Sequence, residues 1–351
     1  MNWITGIARP EIRLLQAYQH AAWEPGLVRL HANELPWRAP SDLSEAGLNR
    51  YPEPHPHELA ERLAQLYQVD TDSVLACRGS DEAIDLLTRC YARCGRDAVL
   101  ITPPTFGMYA VSARIQGATL IEVPLRSETG YRLELPAVLA AMTPAVKLVY
   151  VCSPNNPTGN LTDHAVILEL AAALAGRALL VIDEAYVEFS GAPSLCTELT
   201  TQPGLVVLRT LSKAHGLAGA RCGAVLAHPE VIGLLRRVIQ PYAVTQLTIE
   251  AVFRALEPGP LAVTRERIAL VISERARLAA ALAGRSCVRR VWPSAANFLL
   301  VEFDDAGAAL ERARTAGFLV RDLRRAPALD QALRLSIGTP EQNDRLLASL
   351  P

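Results

Sequence analysis

Lysine is nearly absent from this chain. Of thirty-five basic residues only Lys147 and Lys213 are lysines, and all the others are arginines. Arginine stays protonated and cannot act as an amine nucleophile, whereas lysine can lose its proton and form a Schiff base. A GC-rich genome accounts for the scarcity itself, but a lysine that survives it invites a chemical reading. Lys213 stands in Thr210-Leu211-Ser212-Lys213-Ala214-His215-Gly216-Leu217-Ala218-Gly219-Ala220-Arg221, after an apolar run. The small residues around it leave room for a ligand against the backbone.

A basic excess is missing too. The formal net charge of -1 argues against nucleic acid or an anionic membrane as a partner. The pairs Arg236-Arg237, Arg289-Arg290 and Arg324-Arg325 read as solvated faces. No C-x-x-C pair occurs among Cys77, Cys90, Cys94, Cys152, Cys196, Cys222 and Cys287, an odd and scattered set that suits reduced thiols in a cytosol. Cys90 and Cys94 are one helical turn apart but lack partners at ligand spacing, so no metal is expected. No apolar run approaches the ~20 residues of a membrane span. The stretch from Leu168 to Ile182 is broken by Glu169, Gly176 and Arg177, and Met1 to Arg13 lacks the charged start and apolar stretch of a signal peptide. A cytoplasmic location is expected.

What is present is core. Half of the 351 residues are hydrophobic, which suits two subdomains better than one. The continuously apolar runs 98–101, 147–151, 178–182 and 205–208 read as strands covered on both faces. Helical patterns lie between them, at 81–93 and at 162–175, where Thr162 and Asp163 offer caps. Strand alternating with helix predicts a doubly wound α/β core. After Pro241 the texture changes: a charged helix over 261–283, strands at 297–301 and 333–337, and a helix over 306–316 predict a smaller α+β domain. The Pro- and His-rich stretch 51–57 reads as an extended loop.

Ligands of such sheets bind beyond the carboxyl ends of parallel strands. One predicted strand runs into Ser153-Pro154-Asn155-Asn156-Pro157-Thr158-Gly159, the next into Asp183-Glu184-Ala185-Tyr186, and the next into Ser212-Lys213. Asn156, Asp183 with Tyr186, and Lys213 therefore arrive at one edge. Upstream, Arg78-Gly79-Ser80-Asp81-Glu82 opens a helix whose free N–H groups make an anion site. Pyridoxal 5'-phosphate would use all of these. It needs a lysine for its aldehyde (Lys213), a carboxylate to keep the pyridine nitrogen protonated (Asp183), and donors to the ring hydroxyl (Asn156, Tyr186). It also needs a phosphate cradle, offered by Gly79, Ser80 and Asp81 at the helix start with Ser212 and Arg221, and a ring platform, for which Tyr109 is the candidate. Taken singly, Asp183 could cap a loop, Ser80 could merely start a helix, and Tyr109 could be core. Their joint order at successive strand ends makes accident improbable.

The segments GSDEAIDLL, PPTFGMY, SPNNPTG, VIDEAY and TLSKAHGLAGAR resemble the fold-type I pyridoxal-phosphate aminotransferases. Within them the chain is similar to the branch that acts on histidinol phosphate in histidine biosynthesis. Tyr18, His31-Ala32-Asn33-Glu34, Asn49-Arg50-Tyr51-Pro52, Ala296-Asn297-Phe298, Val320-Arg321-Asp322 and Arg334-Leu335-Ser336-Ile337-Gly338 extend the match over nearly the whole chain. The resemblance implies a large, mostly parallel, seven-stranded-type sheet domain over 45–245 and a small domain built from 1–44 and 246–351. It implies a homodimer in which Tyr51 reaches the neighbouring subunit's cofactor phosphate. It implies histidinol phosphate and glutamate/2-oxoglutarate as substrates, with Arg334 binding their anionic arm and Arg321 and Tyr18 adding substrate contacts. Aromatic-amino-acid aminotransferases and phosphothreonine decarboxylases share much of this pattern and remain alternatives.

Overall fold

The apolar runs become the strands of a large sheet in the computed structural model, which describes residues 3–22, 24 and 26–350. In chain order these are β1 (Val74–Cys77), β2 (Ala98–Ile101), β3 (Thr119–Glu122), β4 (Val146–Cys152), β5 (Leu179–Asp183), β6 (Leu205–Thr210) and β7 (Gly223–Ala227). They lie side by side as β1-β7-β6-β5-β4-β2-β3, and only β7 runs against the others. The expected mostly parallel seven-stranded sheet is what forms.

Alternation along each strand divides the core into two layers. Leu180, Ile182, Leu205 and Val207 pack beneath the helices His57–Tyr67, His164–Leu174 and Gln246–Ala255. Leu179, Val181, Val206, Leu208 and Tyr150 face Ser80–Tyr91, Met108–Gln116 and Pro229–Val238. Asp183 and Glu184, adjacent in sequence, therefore project to opposite faces.

A second sheet, β8 (Val288–Val291), β9 (Phe298–Phe303), β10 (Arg321–Asp322) and β11 (Ala332–Ser336), is antiparallel throughout in the order β10-β11-β9-β8. Leu299, Val301, Phe303, Leu333 and Leu335 bury one face of it against Leu278 and Leu282 of the long helix Pro258–Ala283, and against the helices Ala306–Thr315 and Pro340–Ser349.

The division expected at 44 and 245 is corrected at both joins. Trp3, Ile4, Ile7 and Ala8 form a stripe one helical turn long, and Ile4 and Ala8 are buried in the large sheet's core beside Val231 and Leu235. The chain's start thus packs on the large unit. Likewise Ile249, Val252 and Leu256 belong to the large sheet's other core layer, so that unit continues past 245. The helix expected to reach residue 93 stops at Tyr91, which leaves Cys94 exposed and off the face that buries Cys90. Among the described residues no helix is long and apolar enough to cross a membrane.

Candidate active site

A cavity of about 140 Å³ opens where β4, β5 and β6 end, and Asn156, Asp183, Tyr186, Ser212 and Lys213 all line it. Lys147 is the second residue of β4 and donates to Pro144 O at 2.9 Å, at the strand end away from the cavity. Lys213 Nζ lies 5.6 Å from the centre of the Tyr186 ring. Partial burial, and after it the positive charge of Arg334, hold the Lys213 amine below its ordinary pKa, while Asp81 and Asp183 pull the other way.

One wall is the start of the helix Ser80–Tyr91. Gly79 caps it with φ 79°, a left-handed conformation that glycine adopts without strain. Its neighbour Gly223 on β7 is equally constrained: a Cβ there would stand 2.8 Å from both the Gly79 carbonyl carbon and Arg209 O. Two glycines thus seat the helix start against the sheet, with Ser80 and Asp81 facing the cavity. Arg221 closes the wall, its guanidinium reaching Ser212 Oγ at 3.3 Å and Asp81 Oδ2 at 3.2 Å.

Asp183 is the buried acid at the cavity floor. Burial pushes its carboxyl up, opposed by a 2.8 Å hydrogen bond from the Tyr109 hydroxyl and one of 3.1 Å from the Ala185 N–H. Here the expectation for Tyr109 is corrected. Tyr109 is fully buried, stacks on Tyr150 with ring centres 4.8 Å apart, and does not line the cavity. The aromatic that does, besides Tyr186, is Phe106, set edge-on to Tyr109 at 5.6 Å. Residue 109 lies on the helix Met108–Gln116, whose inner face goes to the core, whereas 106 precedes that helix and stays free to face the ligand.

The small sheet contributes Arg334. Its Nη1 donates to Asn156 Oδ1, its guanidinium lies 5.1 Å from the centre of the Phe298 ring, and its buried Nε has no partner among the described residues. Burial depresses the Arg334 pKa; neighbouring Arg321 adds to this and Tyr186 opposes it. Asn156 Nδ2 in turn reaches the Tyr186 hydroxyl at 3.4 Å. A lysine, a buried acid and an anion-ready helix start therefore converge on one space, and Arg334 is tied to its lining through Asn156.

Residues 30–350 match the family described as aminotransferase class I and II. The chain belongs to that family. It is 51% identical over 351 residues to the histidinol-phosphate aminotransferase of Stenotrophomonas maltophilia (strain R551-3), covering 99% of this chain and 96% of that protein. A solved histidinol-phosphate aminotransferase from Sinorhizobium meliloti, in complex with pyridoxal-5'-phosphate, superposes with a TM-score of 0.78 at 26% identity, over 86% of this chain and 82% of that one. The fold is wider than one reaction: an L-threonine-O-3-phosphate decarboxylase from Porphyromonas gingivalis aligns with a TM-score of 0.73 at 23% identity, over 86% of this chain and 90% of that one.

In this aminotransferase the expected Tyr18, Tyr51, Arg321 and Arg334 do not line the cavity of the single chain, and Arg334 touches it only through Asn156. Arg321 is exposed on β10, opposite Arg334. Tyr51 stacks on Tyr242 at 4.6 Å, in a loop pinned by buried Glu34, which accepts from the Tyr51 N–H at 2.7 Å and pairs with Arg29 and Arg50. Tyr18 is exposed. Besides Phe106, the cavity is lined by Cys152 and Thr210, which sequence reading passed over. Both are last residues of strands, so the rule that drew attention to Asp183 could have found them.

Proposed function

We propose that this chain is a pyridoxal-phosphate-dependent transaminase that interconverts histidinol phosphate and 2-oxoglutarate with imidazole-acetol phosphate and glutamate. The observation that carries the reading is the meeting of Lys213 and Asp183 in one cavity, with Arg334 bonded to Asn156 of its lining. Identity of 51% to a histidinol-phosphate aminotransferase supports the substrate.

The residues present fit the cofactor. Asp183 is an acid pushed up by burial, which a protonated ring nitrogen would hold ionised. The Gly79 helix start, Ser80, Ser212 and Arg221 would hold the phosphate, with Asp81 steering Arg221 through its ion pair. Asn156 and Tyr186 would donate to the ring hydroxyl, Phe106 would cover the ring, and Tyr109 serves from below by holding Asp183. When bound, the cofactor supplies the aldehyde that takes up the amine and the sink for the electrons of the substrate Cα.

Lys213 would hold the cofactor and, as a free amine, would move the proton at the substrate Cα. Its lowered pKa suits it to that work. Asp183 would hold the proton on the pyridine nitrogen of the bound cofactor. Arg334 grips the anionic arm bidentately: the α-carboxylate of glutamate in one half reaction, the CH2-phosphate arm of histidinol phosphate in the other. Arg321 adds positive charge for the doubly charged phosphate, with Tyr18 as a further contact.

The working unit in this reading is a cytoplasmic homodimer in which Tyr51 reaches the partner's cofactor phosphate. Support comes from the segment that carries Tyr51: Leu30 and Leu43 are 88% and 96% exposed, in a run that also exposes Leu14, Tyr18, Leu35 and Trp37. An apolar stretch of this kind calls for a cover. Borohydride reduction of the cofactor-loaded protein, followed by peptide mapping, tests the assignment: the pyridoxyl label is expected on Lys213, and a label on Lys147 would overturn it.

A further inference from the structure

Lys213 borders two cavities. Besides the pocket described above, a second space of about 210 Å³ is lined by Lys213, His215, Phe189, Thr264, Arg267 and Asn297. His215 Nδ1 is buried with no partner among the described residues, and the same holds for Glu188 Oε2, Arg209 Nε and the Tyr67 hydroxyl. These groups are neighbours. Arg209 Nη2 donates to Glu188 Oε1 at 2.7 Å, the guanidinium stands 4.5 Å over the Tyr67 ring, and Glu188 and Arg209 are the charges that act on His215. Arg209 also meets Glu184 at 3.4 Å and Ser194 Oγ at 3.0 Å.

The alternation of β5 and β6 explains the cluster's place: Glu184 and Arg209 take the sheet face opposite Asp183 and Thr210. None of these groups is used by the reaction above. Buried polar atoms lacking protein partners are met by ordered water, which occurs about once per 27 residues in globular proteins. Four such atoms lie in one cluster, and His215 carries that cluster to the cavity beside Lys213.

We propose that His215 is a positioning residue for Lys213: through water in the cavity they share, it keeps the lysine amine solvated and in proton exchange with bulk by a route separate from the substrate pocket. Burial keeps His215 below its usual pKa, with Glu188 working to raise it and Arg209 to lower it further. The imidazole is therefore neutral at pH 7, one ring nitrogen donating and the other accepting. A neutral group orients water without placing another positive charge beside an amine that must work unprotonated. The other charges around it are Glu184, the residue after β5, and Arg267 on the helix Pro258–Ala283.

This role rests on Lys213 being the reactive amine, yet its test is read on the cofactor-free full chain and can fail while cofactor attachment and turnover stand. With only two lysines, a chain labelled with 13Cε-lysine gives two lysine signals, and Lys147 is the internal reference. The Lys213 signal is titrated in wild type, His215→Phe and His215→Gln. Phe dries the cavity, and the Lys213 midpoint is expected to fall by about one pH unit as the charged form loses water. Gln keeps a donor and an acceptor and is expected to leave the midpoint near wild type. Should the Phe variant not fold, His215→Leu takes the apolar arm under the same criteria. Equal shifts in the apolar and Gln variants, or no shift in either, overturn the role.

Discussion

Arg321 on β10 stands directly opposite Arg334 on β11 in antiparallel register. An opposite-charge pair in that position contributes roughly 0.2–1 kcal/mol, whereas like charges repel. Among the described residues the Arg321 side chain shows no hydrogen bond or ion pair to offset the repulsion. A bound anion would relieve it. In the proposed reaction Arg334 binds the group every amino donor carries, and Arg334→Ala is expected to damage all donors. Losing one charged hydrogen bond costs ~1.5–3 kcal/mol, about ten- to hundredfold in kcat/KM. Arg321→Ala is expected to cost histidinol phosphate at least about tenfold more than it costs phenylalanine. Equal losses on both donors in steady-state kinetics would make Arg321 a general anion or structural residue.

Asp183→Asn is expected to keep the fold and lower kcat on the order of a hundredfold or more, as a neutral amide cannot hold the ring nitrogen protonated. Tyr109→Phe is the finer test. The Tyr109 hydroxyl lowers the Asp183 pKa against burial, so its loss raises that pKa. The carboxylate form is the one needed, and activity is lost as pH falls through its pKa. The acid limb of the kcat–pH profile is therefore expected to move to higher pH in Tyr109→Phe. An unmoved limb would remove Tyr109 from this role.

Gly79→Ala forces a side chain into φ 79° and sets a Cβ 2.7 Å from Arg221 Nη2. The strain is expected to cost about 1–3 kcal/mol in thermal unfolding. Displacing Arg221 should also loosen the phosphate cradle, so the variant is expected to lose pyridoxal phosphate on dialysis under conditions where wild type keeps it. Normal retention would place the phosphate elsewhere.

Sedimentation under assay conditions is expected to find the active species as a dimer, and Tyr51→Phe to weaken cofactor retention without dissociating it. An active monomer would contradict the shared site.

The strands that sequence reading located are those with uninterrupted β-branched and leucine runs, such as β5 and β6. It passed over β1, four residues long, and β7, whose Gly-Ala start has little β character yet is needed for the close approach of Gly79. It also missed β3, an edge strand with neither face fully buried. In the site, Asn156, Asp183 and Lys213 were legible because strand ends deliver them. Tyr109 was placed wrongly because a motif gives order along the chain but not which helix face turns inward. The Arg321–Arg334 pairing depends on register between β10 and β11, which neither segment records alone.

Amino transfer to 2-oxoglutarate, followed as glutamate formed from histidinol phosphate and from phenylalanine side by side, with CO2 release from phosphothreonine as the third arm, tests the central claim most directly. The account predicts glutamate formation with the highest kcat/KM on histidinol phosphate and no CO2 release. A preference for phenylalanine, or CO2 release without need for a keto acid, would contradict it.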